Sequence, residues 1–142
     1  MARYVNMVVE PPGPKAREVM KQDSRYVATT TKTSPVVADH ASGGVVTDVD
    51  GNDMLDFASG IAVLNVGHSH PKVVRAVKEQ AERMFHFAGT DFYYSAQVDL
   101  ARRLSASVPG EEERKVFLSN SGTESIEAAM KLARWNSGRG RF

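Results

Sequence analysis

Residues 115–135 read Lys-Val-Phe-Leu-Ser-Asn-Ser-Gly-Thr-Glu-Ser-Ile-Glu-Ala-Ala-Met-Lys-Leu-Ala-Arg-Trp, and this stretch decides the fold. The apolar run Val116–Leu118 is typical of a buried strand. Apolar residues then recur at helical spacing, at Ile126, Ala129, Met130 and Ala133. The sequence therefore predicts a strand that leads directly into a helix.

The connection between this strand and this helix consists of small polar residues and suits a bound anion. Ser121 and Glu124 have the S-x-x-E spacing of a capping box, in which each side chain satisfies a first-turn donor. Gly122 lacks a Cβ that would block close approach, and N–H groups at a helix N-terminus attract anions. A phosphate bound here would contact the N–H groups of Gly122 and Thr123 and the hydroxyls of Ser121 and Thr123. The pattern alone leaves a simple helix start as the alternative, since most capping boxes bind nothing.

Length and composition describe a single globular domain. The chain has 142 residues, a formal net charge of +1, dispersed arginines and no cysteine. This composition excludes a disulfide scaffold, a thiol nucleophile and a Cys₂His₂ zinc site, and it offers no basic face for nucleic acid. The sequence contains neither a nucleotide P-loop motif nor a G-x-G-x-x-G motif. Because it also has no signal-like apolar region, we expect a cytoplasmic protein with neither a nucleic-acid nor a membrane partner.

The first part of the chain is predicted to be an extended arm followed by a short helix. The proline-rich residues 10–16 favour an extended chain that cannot be helical until after Pro14, and a short helix is expected over residues 16–21. Residues 26–37 are rich in threonine and β-branched side chains and contain a proline. This composition indicates an irregular or edge-strand connector.

A β-hairpin is predicted over residues 43–57. Apolar residues lie on both arms, and residues 50–52 supply an Asp-Gly-Asn turn. Asp48, Asp50 and Asp53 raise the alternative of a calcium loop. The glycine stands at the fourth loop position instead of the sixth, and no glutamate follows at the twelfth, so turn acids are favoured.

A helix is predicted from Pro71 onward, because proline suits a first helical turn and apolar residues follow at helical spacing. His68 and His70 precede it and raise the alternative of a metal site. Two loop histidines without neighbouring carboxylate or thiol ligands are more typical of turn and cap residues. We therefore expect no metal.

The aromatic residues 85–94 predict either a binding or subunit surface or a loop whose rings pack into the core. Ser95 is predicted to cap a helix that ends before Pro109 and Gly110. Residues 111–114 are predicted to form a charged surface turn.

Only one predicted core strand is followed by a helix. A single strand cannot form a sheet, and the last helix ends at residues 136–138 with no further strand. We therefore expect the chain to be a piece of a longer protein. The open edges of the strand Val116–Leu118 also predict oligomerisation.

Six motifs, taken in order, give the chain a family resemblance. They are Glu10-Pro-Pro-Gly-Pro-Lys-Ala16, Asp48-Val-Asp-Gly-Asn52, Asp56-Phe-Ala-Ser-Gly-Ile-Ala-Val63, Gly67-His-Ser-His-Pro71, Thr90-Asp-Phe-Tyr-Tyr94 and Ser119-Asn-Ser-Gly-Thr-Glu124. With them, nearly the whole chain resembles the amino-terminal third of the class III pyridoxal-phosphate-dependent aminotransferases. The resemblance is closest to the 4-aminobutyrate aminotransferase group and extends to related amino-acid racemases.

The resemblance implies an α/β fold, as the amino-terminal fragment of a fold type I pyridoxal-phosphate transferase. Residues 1–67 would form the amino-terminal arm and β-hairpin segment, part of the small domain. Residues 68–142 would form the truncated beginning of the large cofactor-binding domain. The family also implies a homo-oligomer, a dimer or higher, with active sites at the subunit interface.

The resemblance further implies the roles of individual residues. The cofactor would be pyridoxal 5'-phosphate, with its phosphate held by Ser121, Gly122 and Thr123. Ile61 and Thr90 match positions that border the substrate pocket, although many 4-aminobutyrate enzymes have a glutamine where Thr90 stands. The Schiff-base lysine of the family lies beyond the end of this chain. No catalytic residue is therefore expected here, and the chain alone should be inactive.

The function implied by the resemblance is transfer of an amino group from 4-aminobutyrate, or a related ω- or α-amino acid, to a 2-oxo acid. The first alternative is a pyridoxal-phosphate amino-acid racemase. The second is a non-catalytic truncated fragment or binding module.

Overall fold

The structure is a computed structural model that describes residues 4–28, 32–110 and 114–141. The chain forms two compact units, one up to Phe85 and the other from His86 onward. The predicted domain division after residue 67 follows the subdomains of the family and stays a prediction. Within the described ranges, no helix is long and apolar enough to cross a membrane.

The first unit contains a three-stranded antiparallel sheet in the order β1-β2-β3. Its strands are β1 (Ala38–Ser42), β2 (Val45–Asp48) and β3 (Asp53–Leu55). Val45 pairs with Leu55 and Val46 with Met54, which confirms the hairpin and its turn. Strand β1 begins directly after the predicted connector and was not predicted as a separate strand.

The amino-terminal arm lies beside β3 and leads into helix α1. Asn6 and Asp53 exchange backbone hydrogen bonds of 3.0 and 2.8 Å. Helix α1 runs over Pro14–Tyr26 and has Gly13 as its N-cap. The predicted helix over residues 16–21 was too short, because Pro14 has the backbone angle of a first helical turn and begins the helix itself.

Two further helices complete the first unit. Helix α2 (Ser59–Ala62) is a single turn, and α3 (Pro71–Arg83) begins at the predicted proline. His70 is the N-cap of α3, and its Nδ1 atom accepts a hydrogen bond from the N–H of Lys72 at 3.3 Å. The predicted cap role of His70 is confirmed.

The second unit contains α4 (Ser95–Ser107) and α5 (Gly122–Ser137). The prediction that Ser95 caps α4 was wrong. Ser95 is the first helical residue, and the N-cap is Tyr94, which makes no side-chain cap bond. Helix α5 ends at Ser137, within the predicted residues 136–138, and its C-cap Gly138 adopts the left-handed conformation with φ 66°.

Some rings of the aromatic segment contact one another, and others are exposed. The rings of Phe87 and Phe92 lie 4.2 Å apart, and Tyr94 meets Phe87 edge-on at 6.4 Å. Tyr93 is fully exposed. The rings therefore contact one another without being buried in a core, and the binding or subunit surface stays a prediction.

The predicted strand at Val116–Leu118 is not formed. Residues 114–119 form neither a helix nor a strand, since no strand within the described residues pairs with them. Of the predicted turn over residues 111–114, residues 111–113 lie outside the described ranges.

Burial in the described ranges centres on the hairpin turn. Gly13, Ala16, Asp48 and Asn52 are the buried residues there. The apolar faces predicted for the helices are largely exposed, as Ile126 shows at 64% of its full surface. The chain thus carries apolar helix surface that its described residues leave uncovered.

Candidate functional site

The predicted anion-binding segment, residues 119–125, is a bend that ends in the N-terminus of α5. Ser121 is the N-cap, and its hydroxyl accepts a hydrogen bond from the N–H of Glu124 at 3.2 Å. The carboxylate of Glu124 accepts from the N–H of Asn120 at 2.7 Å. The predicted capping box is therefore present, with its returning bond shifted by one residue from Ser121 to Asn120.

Two backbone donors of this bend are free to bind an anion. Within the described residues, the N–H groups of Gly122 and Thr123 donate to no protein acceptor, whereas the N–H of Ser125 already donates to Ser121. A Cβ built on Gly122 would have no atom within 4 Å. The positive end of a 16-residue helix thus presents two N–H groups and open space beside them.

Side-chain hydroxyls hold the bend in shape. The hydroxyl of Ser119 lies 3.1 Å from the carbonyl oxygen of Ser121 and 2.5 Å from the hydroxyl of Ser125. The hydroxyl of Ser125 also donates to the carbonyl of Ser121 at 3.1 Å. These contacts give the carbonyl of Ser121 hydrogen-bond donors, while the N–H groups of Gly122 and Thr123 stay uncovered because first-turn N–H groups have no acceptor within the helix.

The predicted substrate-side residue Ile61 lies on a left-handed turn in the first unit. Ser59, Gly60, Ile61 and Ala62 have φ angles of 50, 60, 65 and 60°. Left-handed helical geometry costs roughly 1–2 kcal/mol per residue with a Cβ, and a β-branched residue in it is a marked outlier. The side chain of Ile61 is 90% exposed, so it is not an ordinary core isoleucine in the described chain.

Asp56 connects the start of this turn to His68 through hydrogen bonds. One carboxylate oxygen accepts from the N–H groups of Ala58 and Ser59, both at 2.8 Å. The other lies 2.6 Å from Nε2 of His68. The hydrogen bonds from His68, Ser59 and Ala58 outweigh desolvation and hold the pKa of Asp56 below its ordinary value. The sequence interpretation of His68 as a loop histidine without a carboxylate partner was wrong, because Asp56 is brought to it by the fold.

The other predicted site residues are placed as follows. Thr90 is an exposed residue of the second unit, with its hydroxyl 3.3 Å from the carboxylate of Asp91. Ser121, Gly122 and Thr123 form one continuous segment of the same unit, and Ile61 belongs to the first unit. The three residues predicted to contact the phosphate are adjacent because they are consecutive in the chain.

The acidic residues of the hairpin have structural partners. Asp50 accepts from the N–H groups of Lys15 and Ala16, both at 2.9 Å, and so caps α1 from a distant turn. Asp53 accepts from the hydroxyl of Thr47 at 2.7 Å. No cluster of three or more metal-ligating side chains occurs among residues 4–28, 32–110 and 114–141. The hydrogen bonds of Asp50 and Asp53 agree with the interpretation of these residues as turn acids.

Asp48 and Asn52 form a buried polar pair that the sequence did not reveal. The Asp48 carboxylate accepts from the N–H and the side-chain amide of Asn52, at 2.8 and 2.7 Å. The side-chain oxygen of Asn52 accepts from the N–H groups of Val8 and Val9, at 2.7 and 2.9 Å. This pair joins the arm to the hairpin turn.

The fold described above matches the amino-terminal part of pyridoxal-phosphate-dependent aminotransferases. An ω-transaminase from Sphaerobacter thermophilus superimposes with a TM-score of 0.81 at 30% identity, over 92% of this chain and 30% of that one. The chain belongs to the class III aminotransferase family, because the family model "Aminotransferase class-III" matches residues 26–141. The fold class predicted from the sequence is confirmed.

Curated relatives carry several activities. The acetylornithine aminotransferase of Methanosarcina acetivorans is 44% identical over 95% of this chain and 34% of its own length. The probable 4-aminobutyrate aminotransferase of Bacillus subtilis is 47% identical over 65% of this chain and 21% of its own. The isoleucine 2-epimerase of Lentilactobacillus buchneri is 33% identical over 88% of this chain and 28% of its own. The chain thus spans about a third or less of these relatives.

Membership of this family implies pyridoxal phosphate as the cofactor. The bend at the start of α5 fits the phosphate part of this group. It offers the free N–H groups of Gly122 and Thr123, and space that no neighbouring atom fills beside Gly122. The carboxylate of Glu124, in the first turn of α5, accepts a hydrogen bond from the N–H of Asn120.

Proposed function

We propose that this chain is the amino-terminal part of an aminotransferase that moves an amino group from an ω- or α-amino acid to a 2-oxo acid. Family membership supports the reaction class, and the relatives are named for acetylornithine and 4-aminobutyrate among other substrates. Of these, 4-aminobutyrate is the donor that the sequence motifs favour. The proposal includes a homo-oligomer in the cytoplasm.

The observation that carries the proposal is the uncovered start of α5. In this proposal, the N–H groups of Gly122 and Thr123 bind the cofactor phosphate, and the hydroxyls of Ser121 and Thr123 lie beside it. Two backbone donors and the helix dipole would hold the dianion without a basic side chain. When bound, the cofactor supplies an electron sink for the bonds of the amino acid.

The proposed division of roles leaves this chain without a catalytic residue. Residues 121–123 would bind the phosphate, and Ile61 and Thr90 would each contribute to substrate binding. The proton-transferring lysine of the family would come from sequence outside the chain. We therefore expect no transamination by the 142-residue chain with 4-aminobutyrate or N-acetylornithine and 2-oxoglutarate, and turnover in this assay would contradict that expectation.

A binding experiment tests the phosphate site. The probe is pyridoxamine phosphate, which has no aldehyde to react with surface lysines, and ³¹P NMR gives its affinity for the chain. Gly122→Pro removes one N–H donor yet suits the first position of a helix, and Ser121 already has the extended backbone that precedes a proline. Gly122→Ala also adds a Cβ but keeps the donor, so it is the matched control that isolates the lost N–H group, and its Cβ meets no protein atom within 4 Å.

The proposal predicts weaker binding by Gly122→Pro than by Gly122→Ala, by about ten- to a hundredfold. A hydrogen bond to a charged group contributes about 1.5–3 kcal/mol. Equal affinities of the two variants for pyridoxamine phosphate would show that its phosphate does not bind at this bend. An affinity that excess inorganic phosphate leaves unchanged would show the same.

Racemisation is the second candidate, and the similarity to an isoleucine 2-epimerase favours it. The two reactions differ in their need for an acceptor. The protein encoded by the complete reading frame would be assayed with L-isoleucine in the absence of a 2-oxo acid. Loss of optical rotation would support the racemase, whereas amino-group transfer that requires 2-oxoglutarate would support the aminotransferase.

A further inference from the structure

We propose that Asp56 and His68 are positioning residues that hold the left-handed turn of α2 and so fix the direction of Ile61 toward the amino-acid substrate. The inference rests on the proposed function for the identity of the ligand. It adds two residues, neither of which would touch the substrate, to the part of the site that selects the amino donor.

The turn needs external support because its backbone is strained. Four successive residues have positive φ, and three of them, Ser59, Ile61 and Ala62, carry a Cβ. Its backbone hydrogen bonds from Ala62 to Ala58 at 2.9 Å and from Val63 to Ser59 at 3.0 Å would be available to a right-handed turn as well, and the two bonds between Ser59 and Leu64, both of 3.0 Å, only close its ends. They do not explain the handedness, so contacts outside the turn must select it.

Asp56 supplies those contacts through both of its carboxylate oxygens. One oxygen accepts from Ala58 and Ser59, where the turn begins. The other is held by His68, which is itself fixed to the hairpin by two backbone hydrogen bonds with Gly43, of 2.9 and 2.8 Å. A chain of direct contacts therefore runs from the sheet through His68 and Asp56 to the start of the turn.

The turn displays an apolar side chain instead of burying it. Ile61 is 90% exposed, whereas Asp56 and His68 are largely covered, with 13% and 22% of their side chains exposed. Backbone strain of this kind concentrates at functional sites, and Ile61 is the large apolar residue at the centre of the strained turn, so the turn indicates a binding role for Ile61. A branched aliphatic group suits the methylene part of an amino-acid substrate.

NMR of the 142-residue chain tests the positioning role. Intraresidue HN–Hα NOEs and Cα–Hα couplings report positive φ at residues 59–62, and cross-strand NOEs between Val46 and Met54 report the hairpin. Asp56→Ala and His68→Ala should abolish the positive-φ signals while the hairpin signals remain. His68→Gln, which can still donate to Asp56, should restore them in part.

The exposed pair Asp39 and His40 provides the matched control. Their side chains lie 2.9 Å apart with 61% and 69% of their surfaces exposed, and they hold no strained turn. His40→Ala should leave the signals of residues 59–62 unchanged. Retention of positive φ in both Asp56→Ala and His68→Ala, or its absence in the wild-type chain, would overturn the proposal.

A kinetic measurement separates this inference from the proposed function. In the protein encoded by the complete reading frame, His68→Ala should raise KM for the amino donor about tenfold, with kcat changed less than KM, because it alters the direction of Ile61. Absence of any transamination in the wild-type protein would count against the proposed function, while the NMR result would still decide the positioning role. An unchanged KM in an active His68→Ala variant that has lost the positive-φ signals would contradict a role in donor selection.

Discussion

Gly13 and Asp50 lie so close that a Cβ on Gly13 would overlap the Asp50 carboxyl group and approach its Cβ to 2.8 Å. The space left by the missing side chain allows Asp50 to reach the N–H groups of Lys15 and Ala16. A residue of the hairpin turn thereby caps a helix that begins 36 positions earlier in the chain, at Pro14.

Gly13→Ala should therefore destabilise the first unit. The added Cβ displaces Asp50 and leaves two N-terminal donors of α1 without their cap, and loss of an N-cap costs about 1–2 kcal/mol. Equilibrium urea unfolding followed by circular dichroism measures the change. Gly44→Ala is the control, since its Cβ would meet no atom within 4 Å. Equal stability of the two variants would show that the Asp50 cap contributes little.

Asn52→Ala should be more damaging than Asn6→Ala. Asn52 is completely buried, and its side chain receives the N–H groups of Val8 and Val9 and donates to Asp48. Each buried polar group left unsatisfied costs about 1–3 kcal/mol, so the loss should reach at least about 2 kcal/mol. The exposed Asn6 contributes only its backbone to the bridge with Asp53. A difference below 0.5 kcal/mol, which is roughly the scatter for surface substitutions, would contradict this role.

The elements that sequence predicted best are those specified by nearby residues. The hairpin follows from its Asp-Gly-Asn turn, α3 from Pro71, and the start of α5 from the spacing of Ser121 and Glu124. Each signal acts within a few positions of the element that it specifies, so the local sequence contains the necessary information.

The features that sequence missed depend on contacts between distant residues. The bond from Val8 to Asn52 spans 44 positions, and no local pattern predicts it. The strand expected at Val116–Leu118 failed for the same reason, because a strand requires a partner and the described chain supplies none. The left-handed turn was missed because only one of its four residues is a glycine, the residue to which positive φ is normally assigned.

Acid should weaken the first unit through Asp48. Desolvation raises the pKa of this carboxyl, but hydrogen bonds from Asn52, Asp50 and Gly51 outweigh it and hold the pKa below the ordinary value of 3.8. The unfolded state therefore binds the proton first, so the stabilisation is present above about pH 4 and is lost as the pH falls through the lowered pKa.

Unfolding measured between pH 6 and pH 2.5, a range of about 3.5 units around the ordinary carboxyl pKa, should show this loss in the wild-type chain. Asp48→Asn should be less stable at pH 6 and should lose less stability on acidification. Asp39→Asn, at an exposed carboxylate of β1, is the control. A pH dependence that is identical in wild type and Asp48→Asn would refute the assignment.

Ser121→Ala should reduce the helical content of the second unit by loss of the α5 cap. The Ser121 hydroxyl accepts from the N–H of Glu124, and removal of such a cap costs about 1 kcal/mol. Ser95→Ala is the control, because Ser95 also stands at a helix start but makes no cap bond. Far-ultraviolet circular dichroism compares the two variants with wild type, and equal spectra for both would contradict the prediction.

Gly67→Ala should destabilise the contact between the hairpin and the loop before α3. Gly67 has φ 80°, and its Cβ would lie 2.9 Å from the carbonyl oxygen of Gly43, the group that accepts from the N–H of His68. Gly138→Ala separates the effect of backbone strain from the effect of the clash, because Gly138 also has a positive φ, of 66°, but a Cβ added there would have no atom within 4 Å. The control should lose about 1 kcal/mol of unfolding free energy from backbone strain alone, and Gly67→Ala should lose more because the clash adds to the strain.

Hydrogen exchange of the His68 N–H should accelerate in Gly67→Ala and stay unchanged in Gly138→Ala. Equal losses in the two variants would mean that the backbone conformation, and not the approach to Gly43, determines the need for glycine at position 67.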